Sequence, residues 1–214
     1  MQFCNPDGDG SLAAVSANPA EMAPAPARRG RPRSPEVDAA ILDAALRLLA
    51  TEGYARMTMD GVAAEAGVSK AAIYLRYRSK ADLATAALAR LRESGQPEAT
   101  GDLRADLTAQ LRQLRANAER VSAMTLVGTC LTEEQHTPEL LTLFRERTLQ
   151  PRRALLREML GAARESGRID PDADIDAAVD LFMGAYQTRY LSGEPFGERW
   201  EERAVDALMR AVGG

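Results

Sequence analysis

Histidine, cysteine and tryptophan are scarce in this chain of 214 residues. It contains one histidine, two cysteines and one tryptophan, and aromatic residues make up only 5% of the sequence. A single histidine excludes multi-histidine metal sites and leaves a serine or cysteine triad only one candidate base. Abundant alanine and leucine favour helices, and no segment has the alternating pattern of a strand. The sequence predicts an all-α protein, and we expect no catalytic residues, bound metal or cofactor.

The sequence also lacks the patterns of a membrane-spanning helix and of a secretory signal. No apolar run approaches the roughly 18 residues of a membrane helix, and no basic region followed by a hydrophobic one opens the sequence. Cys4 lies in a low-complexity segment, which argues against a structural disulfide and fits a reducing cytoplasm. Cys130 lies in an apolar run, where a small core residue is a simpler interpretation than a redox sensor. We therefore expect a cytoplasmic protein that does not bind membranes.

Charge is unevenly distributed along the chain. Within a net charge of −4, residues 1–27 carry three acidic and no basic residues, and residues 28–94 carry 12 basic and 8 acidic ones. One basic segment in an acidic protein indicates local contact with nucleic acid. These shifts, with a Gly- and Pro-containing break near residues 93–101, predict a disordered tail over 1–27, a basic arm over 28–33, a first domain over 34–92 and a second domain over 101–214.

The basic arm has the sequence Arg-Arg-Gly-Arg-Pro-Arg, with its arginines at Arg28, Arg29, Arg31 and Arg33. It is either a solvated linker or an extended segment that enters the minor groove of DNA. Arginines suit the negative potential of a narrow, A·T-rich groove. Because the arm directly precedes a segment with DNA-binding features, we favour the second interpretation.

Those features lie between Thr58 and Lys80. Thr58 is a good N-cap for a first short helix, and Gly67 supplies the positive-φ residue that ends it. Ser69 then caps a second short helix that begins with small residues and carries Lys70, Tyr74 and Arg76. Two helices around a three-residue turn, the second bearing long polar side chains, form the pattern of a helix-turn-helix with its recognition helix.

The span from Ser34 to about Leu88 resembles the DNA-binding domain of the tetracycline-repressor (TetR) family of bacterial transcription regulators. The matching residues, in order, are Thr51-Glu52-Gly53-Tyr54, Met57-Thr58-Met59, Gly67-Val68-Ser69-Lys70, Ile73-Tyr74-Leu75-Arg76-Tyr77 and Ser79-Lys80. The resemblance implies a three-helix DNA-binding domain followed by a helical domain that binds an effector and dimerises. Arg76, Arg78 and the pair Ala71-Ala72 depart from the usual family pattern.

Contacts to double-stranded DNA follow from the resemblance at seven positions: Thr58, Ser69, Lys70, Ala72, Tyr74, Arg76 and Lys80. Tyr74 and Lys80 are expected to bind phosphates, and Lys70 and Arg76 base edges or nearby phosphates. Because of the departures, the operator sequence cannot be taken from a relative.

The second half shows several amphipathic helices. Their apolar spacing predicts four or five, one of them kinked or divided at Pro151. A helix over about 121–136 is apolar all round and is expected to be well buried. The resemblance implies that the last two helices, over 174–191 and 198–212, pair around a two-fold axis, and charged residues at Phe182 and Val205 are expected to prevent dimerisation.

The resemblance also implies an effector cavity, for which adaptable or aromatic residues are the candidates. These are Met124, Cys130, Phe144, Met159, Met183 and Tyr186, each of which alone fits plain core as well. Glu133 and Glu134, if turned inward, would favour cationic lipophilic ligands. With His136 they form either a metal cluster or, as we prefer, a solvated helix end. The aspartates between residues 170 and 180 lack the glycine and glutamate of a calcium loop and suit the start of a helix.

Two classes of function remain. The sequence favours a ligand-responsive, homodimeric repressor that binds a palindromic operator and is released by a small molecule. The alternative is a helical enzyme or small-molecule carrier that keeps a helix-turn-helix as a scaffold. The alternative does not explain why four polar residues lie in one region, namely Lys70, Tyr74, Arg76 and Lys80. We therefore prefer the repressor.

Overall fold

A computed structural model describes residues 34–213, which form eleven α-helices, one π-helical turn and no strand. This confirms the all-α prediction. The expectations for Cys4 and for the four arginines of the basic arm lie outside the described residues. No helix among the described residues is long and apolar enough to cross a membrane. The helices are α1 (Pro35–Thr51), α2 (Gly53–Arg56), α3 (Met59–Ala66), α4 (Lys70–Tyr74), α5 (Lys80–Glu93), α6 (Leu103–Arg120), α7 (Ala123–Thr132), α8 (Pro138–Phe144), α9 (Gln150–Glu165), α10 (Ile175–Leu191) and α11 (Trp200–Ala211).

Side-chain caps set the boundaries of the helix-turn-helix. The hydroxyls of Thr58, Ser69 and Ser79 accept hydrogen bonds from backbone N–H groups three residues ahead, at 3.0, 3.2 and 3.0 Å. Each bond satisfies one of the N–H groups that a helix start leaves unpaired. Gly67 ends α3 at φ +66°, a conformation that glycine adopts without strain. The caps predicted at Thr58 and Ser69 are therefore confirmed.

The single-turn helix α2 was not expected from the sequence. Gly53 ends α1 at φ +77°, but the chain then makes one further helical turn before Met57. Met57, which follows this turn, is fully buried and adds its side chain to the core. A four-residue turn has too little apolar periodicity to be recognised in a sequence.

Helices α8 and α9 form one long rod interrupted by a π turn over Arg145–Leu149. Pro151 has no N–H and cannot donate to the carbonyl four residues earlier, so the ladder shifts, and the N–H of Gln150 donates to the carbonyl of Arg145 instead. This agrees with the interruption predicted at Pro151. Such π turns occur frequently at functional sites.

Two expectations for the second half were wrong, namely the burial of α7 and the place of Phe182 and Val205. Helix α7 buries only Leu126 and Cys130, because its other face is open, and Leu131 is 59% exposed. Helix α10 starts at Ile175, in agreement with the helix predicted over 174–191, and Asp174 caps it by accepting a hydrogen bond from the N–H of Ala177. Phe182 and Val205 lie in the core of the chain itself, so charge at these positions is expected to unfold the protein.

Two apolar clusters fill the interior. The first includes the inward faces of α1, α3 and α5 and continues into α7 and α8 through Cys130, Leu140 and Phe144. The second joins α6, α9, α10 and α11 around Leu107, Leu160 and Val179. One continuous core therefore links the helix-turn-helix bundle to α7 and α8.

Candidate nucleic-acid interface and ligand cavity

The recognition helix α4 presents a polar, cationic surface to solvent. Tyr74 is 58% exposed and Leu75 is 72% exposed, and Ser69 and Lys70 are exposed at the start of the helix. Ile73 faces the opposite way and is fully buried, so it anchors the helix on the bundle. The structure thus brings Thr58, Ser69, Lys70 and Tyr74 to the surface of the helix-turn-helix, with Ala72 half-buried beside them.

Lys70 has a partner within the protein. Its ammonium group lies 2.5 Å from the carboxylate of Asp60 on α3, and this hydrogen bond raises the pKa of Lys70. Both side chains are more than half exposed, and the energy of such a pair is small. Lys70 is therefore able to exchange Asp60 for a phosphate or a base.

Arg76 does not belong to the exposed set, contrary to the expectation that it reaches bases. Its side chain is 12% exposed, and Nε lies 2.5 Å from Oδ1 of Asp38 on α1. Nη1 donates to the carbonyl of Ala72 at 3.0 Å. The guanidinium fixes the end of α4 against α1, so Arg76 positions the recognition helix in this structure.

Lys80 is also directed toward the protein. Its ammonium group donates to the carbonyls of Tyr54 and Ala55 at 3.1 and 3.3 Å and lies 4.4 Å from the centre of the Tyr54 ring. Partial burial lowers the pKa of Lys80. Lys80 thus satisfies carbonyls at the end of α2, and a phosphate contact requires it to leave them.

Arg78, which the candidate set omitted, is exposed in the turn between α4 and α5. No side-chain hydrogen bond or ion pair of Arg78 occurs within residues 34–213, so its charge is available to a polyanion. The sequence signal was present, because Arg78 is a departure from the family pattern next to the recognition helix.

A cavity of about 100 Å³ lies among α5, α6, α7, α8, the π turn, α9 and α10. Four of the six candidate residues line it, namely Met124, Phe144, Met183 and Tyr186. Burial raises the pKa of the Tyr186 hydroxyl. The helices that enclose the cavity thus come from both apolar clusters.

Cys130 and Met159 lie away from this cavity. Cys130 is 1% exposed within the first cluster, and burial raises the pKa of its thiol to about 11, as expected for a small core residue. Met159 lines a separate depression near Gln110 and Leu155, on the outer side of α9. Which face of a helix meets the cavity is a property of tertiary packing, so the candidates could not be separated by residue type.

Arg92 and Arg152 also line the cavity, and neither was among the residues predicted from the sequence. Arg152 is 7% exposed and has no salt bridge to any residue between 34 and 213. Burial, together with the like charge of Arg92, lowers the pKa of Arg152 to about 10. A signal existed, because Arg152 lies in register with the buried residues Leu156, Leu160 and Ala163 on the apolar stripe of α9.

The π turn connects this cavity to the start of α5. Arg147 pairs with Oδ1 of Asp82 at 2.7 Å and donates to the carbonyl of Asp82 at 2.9 Å and to Oγ1 of Thr85 at 3.2 Å. Although burial by itself raises the pKa of Asp82, the N–H of Arg78 and the guanidinium of Arg147 outweigh it and lower that pKa. The next residues in the turn, Thr148 and Leu149, line the cavity.

The acidic candidates face solvent. Glu133, Glu134 and His136 are exposed at the end of α7, which agrees with a solvated helix end and removes the expected preference for cationic ligands. Among residues 34–213, no group of three His, Cys, Asp or Glu side chains is placed to hold a metal ion. Asp170 and Asp174 accept hydrogen bonds from nearby backbone N–H groups at the start of α10.

One stripe of α10 faces outward and is apolar. Leu181 is 59% exposed, and small residues, Ala177, Gly184, Ala185 and Thr188, flank it in a shallow groove that α11 completes. The opposite stripe, with Val179 and Phe182, is buried. An exposed apolar stripe on a terminal helix pair suits contact with another protein surface.

Known proteins are similar to this chain in sequence and fold. The chain matches the family described as "Bacterial regulatory proteins, tetR family" over residues 41–87 and "Tetracyclin repressor-like, C-terminal domain" over residues 97–208. It is 33% identical to a DNA-binding transcriptional repressor TetR of Mycobacteroides abscessus over 183 residues, which is 85% of this chain and 94% of that protein. It is 37% identical over 145 residues to an uncharacterised helix-turn-helix transcriptional regulator of Mycobacterium tuberculosis, covering 67% of this chain and 71% of the relative.

A solved structure supports the same assignment. The crystal structure of the TetR-family transcription regulator SCO0332 is 35% identical in sequence and superposes with a TM-score of 0.66, covering 84% of this chain and all of the other. These relatives are transcriptional regulators rather than enzymes. The chain belongs to the tetracycline-repressor family of bacterial helix-turn-helix transcription regulators, which bind DNA.

Proposed function

We propose that this regulator is a homodimeric repressor that acts in the cytoplasm, binds a palindromic operator and leaves it when a small molecule enters the cavity. The observation that carries this proposal is the contact of Arg147 with Asp82 and Thr85. It joins the π turn beside the cavity to the first turn of α5, which follows the recognition helix directly. A ligand-dependent change in the π turn thus has a direct path to the DNA-binding surface.

On the DNA side, the proposed contacts are Tyr74 and Arg78 to phosphates and Lys70 to base edges. Thr58, Ser69 and the small side chain of Ala72 let the start of α4 approach the major groove closely. The arm with Arg28, Arg29, Arg31 and Arg33, outside the described residues, is proposed to add salt-sensitive affinity through the minor groove. Lys80 joins this set only if it leaves the carbonyls of α2.

A second copy of the chain is proposed to cover the outward stripe of α10. Leu181 lies at the centre of that stripe, and Leu191, which is 74% exposed, lies at its end. Pairing across a two-fold axis buries these side chains and presents two recognition helices. For both to enter successive major grooves they must lie about 34–36 Å apart, so the operator is expected to be a near-palindrome.

Release is proposed to occur by a shift between two dimer conformations. A ligand that prefers the conformation with the wrong half-site spacing weakens DNA binding by no more than its difference in affinity for the two states. Helix α5 is the proposed lever, because its first turn holds Arg147 and its last turn contributes Leu91 and Arg92 to the cavity.

A gel-shift titration on the DNA upstream of the chain's own gene tests the proposal, followed by footprinting with and without candidate compounds. We expect a protected, two-fold symmetric site and its loss when a cavity ligand is added. A protein that binds compounds in the cavity but shows no preference for any DNA sequence would instead support the carrier or enzyme.

A further inference from the structure

Three residues that line the cavity each carry a buried polar atom without a hydrogen-bond partner. Nε of Arg92, Nη1 of Arg152 and Oγ1 of Thr148 are each buried and have no hydrogen-bond partner among residues 34–213. All three residues line the same cavity. An unpaired buried donor costs free energy, and an unpaired buried charge costs more. Three such groups around one space favour a ligand with a polar group over a purely apolar one.

The charge around this space is positive, and that of Arg152 is uncompensated. Arg152, at 7% exposure, has no carboxylate partner in the described part of the chain, and no lining residue of the cavity is acidic. Arg92 pairs only with its neighbour Glu93, whose side chain is 65% exposed and directed to solvent. The two guanidinium groups lie close enough for the charge of Arg92 to disfavour that of Arg152. An anion between them would relieve this repulsion.

Apart from Asn117 and Gln187, the rest of the lining is apolar, and the cavity is small. Leu114, Val127 and Phe144 are among the apolar residues of the lining. The volume is about 100 Å³, comparable to an apolar cavity of about 150 Å³ that holds one benzene ring. The occupant therefore needs a compact apolar body as well as an anionic group, and the planar fork of arginine matches a carboxylate in particular.

We propose that the effector of this regulator is a small organic acid, with its carboxylate bound between Arg92 of α5 and Arg152 of α9 and its apolar body among the leucine, valine and phenylalanine side chains. The proposal rests on the proposed function and identifies the ligand class of that cavity. Because one arginine lies at the end of the lever helix and the other directly follows Pro151 and the π turn, the carboxylate draws together the two segments that communicate with the recognition helix.

The test compares three probes that share one body and differ in charge, namely phenylacetate, phenethyl alcohol and phenethylamine. Thermal unfolding of the full chain is measured without DNA at equal probe concentrations, with inorganic phosphate as a fourth arm. We expect phenylacetate to raise the Tm most and phenethylamine least. Equal shifts for the three probes, no shift with any, or a shift with inorganic phosphate as large as with phenylacetate would overturn the proposal.

Substitution then assigns the preference to the arginine. Arg152→Met keeps the length of the side chain and is expected to weaken phenylacetate binding by about 10-fold to 100-fold, the value of a charged hydrogen bond, while leaving the affinity for phenethyl alcohol unchanged. Arg164→Met, on the exposed face of the same helix, is the matched control and should keep the acid preference. Retention of that preference by Arg152→Met would refute the site. All of these readouts are independent of operator binding, so they remain decisive if the repressor proposal fails.

Discussion

The guanidinium of Arg76, at the end of the recognition helix, lies 2.5 Å from the carboxylate of Asp38 on α1. The pair is largely shielded on the arginine side, where only 12% of the side chain is exposed. Since Arg76 also donates to the carbonyl of Ala72, it joins the C-terminus of α4 to the first helix of the bundle. The cation that the sequence assigned to base recognition instead holds the recognition helix on the bundle.

Arg76→Met and Asp38→Asn should each therefore lower the free energy of unfolding by about 1–3 kcal/mol, because each leaves a shielded polar partner unpaired. The two effects should be less than additive in the double variant. Operator affinity should fall for all operator sequences alike, without relaxed preference at a single base pair. Arg47→Met, which removes an exposed pair with Glu65, is the control and should change stability by less than about 1 kcal/mol. Loss of preference at one base pair would return Arg76 to base recognition.

The exposed side chains of the helix-turn-helix should contribute to DNA affinity by binding phosphates. Arg78→Ala is expected to reduce the slope of log affinity against log salt concentration by about 0.9, the contribution of one neutralised phosphate. Tyr74→Ala should lower affinity at every salt concentration, because it removes a neutral phosphate donor. Salt titrations by fluorescence anisotropy measure both effects. Arg210→Ala, on the exposed face of α11, should leave the slope unchanged, and an unchanged slope for Arg78→Ala would exclude that residue from the interface.

Coupling between the cavity and DNA should depend on Arg147. Arg147→Met removes the contacts with Asp82 and Thr85, so an effector should still bind the cavity but should release the operator less well. Typical coupling free energies of about 1–3 kcal/mol correspond to a loss of roughly 5-fold to 150-fold in effector-dependent release. Arg145→Met serves as control, since it lies in the same π turn but pairs only with the exposed Glu134 at 3.5 Å. Full release by the Arg147 variant would mean that coupling takes another route.

A charged residue on the outward stripe of α10 should prevent dimerisation. Leu181→Glu is expected to give a folded monomer with weak operator affinity, because the carboxylate would be buried unpaired in the proposed interface. Analytical ultracentrifugation gives the mass, and circular dichroism confirms folding. Leu131→Glu is matched in exposure, at 59% for both leucines, and should remain dimeric. Phe182→Glu, in the core, should be unfolded rather than monomeric.

Removal of the buried guanidinium of Arg152 should stabilise the protein without ligand. Arg152→Met is expected to raise the free energy of unfolding by about 1–3 kcal/mol, because it replaces an unpaired buried polar group by an apolar side chain of similar length. Chemical denaturation in ligand-free buffer measures this change. Arg164→Met should stay within about 0.5 kcal/mol, as exposed substitutions usually do. Destabilisation by Arg152→Met would indicate that the guanidinium supports the fold.

The sequence predicted well those parts of the molecule that depend on short-range interactions of the backbone. The hydroxyls of Thr58 and Ser69, the positive-φ residue Gly67 and the missing N–H of Pro151 act on backbone groups within four residues. Their consequences are therefore readable without knowledge of the fold. Helix boundaries, the helix-turn-helix and the interruption before α9 all follow from interactions of this short range.

Tertiary structure alone decided which side chains those helices turn toward DNA, toward the cavity or toward the core. Arg76 and Arg78 are two residues apart and both cationic. Arg76 pairs with Asp38, which is distant in sequence, whereas Arg78 is exposed to solvent. Arg152 and Arg164 share a helix, but only Arg152 is enclosed by α5 and α10. The role of a long, charged side chain is set by the dielectric environment and the partners that distant segments supply, and these exist only once the helices have packed.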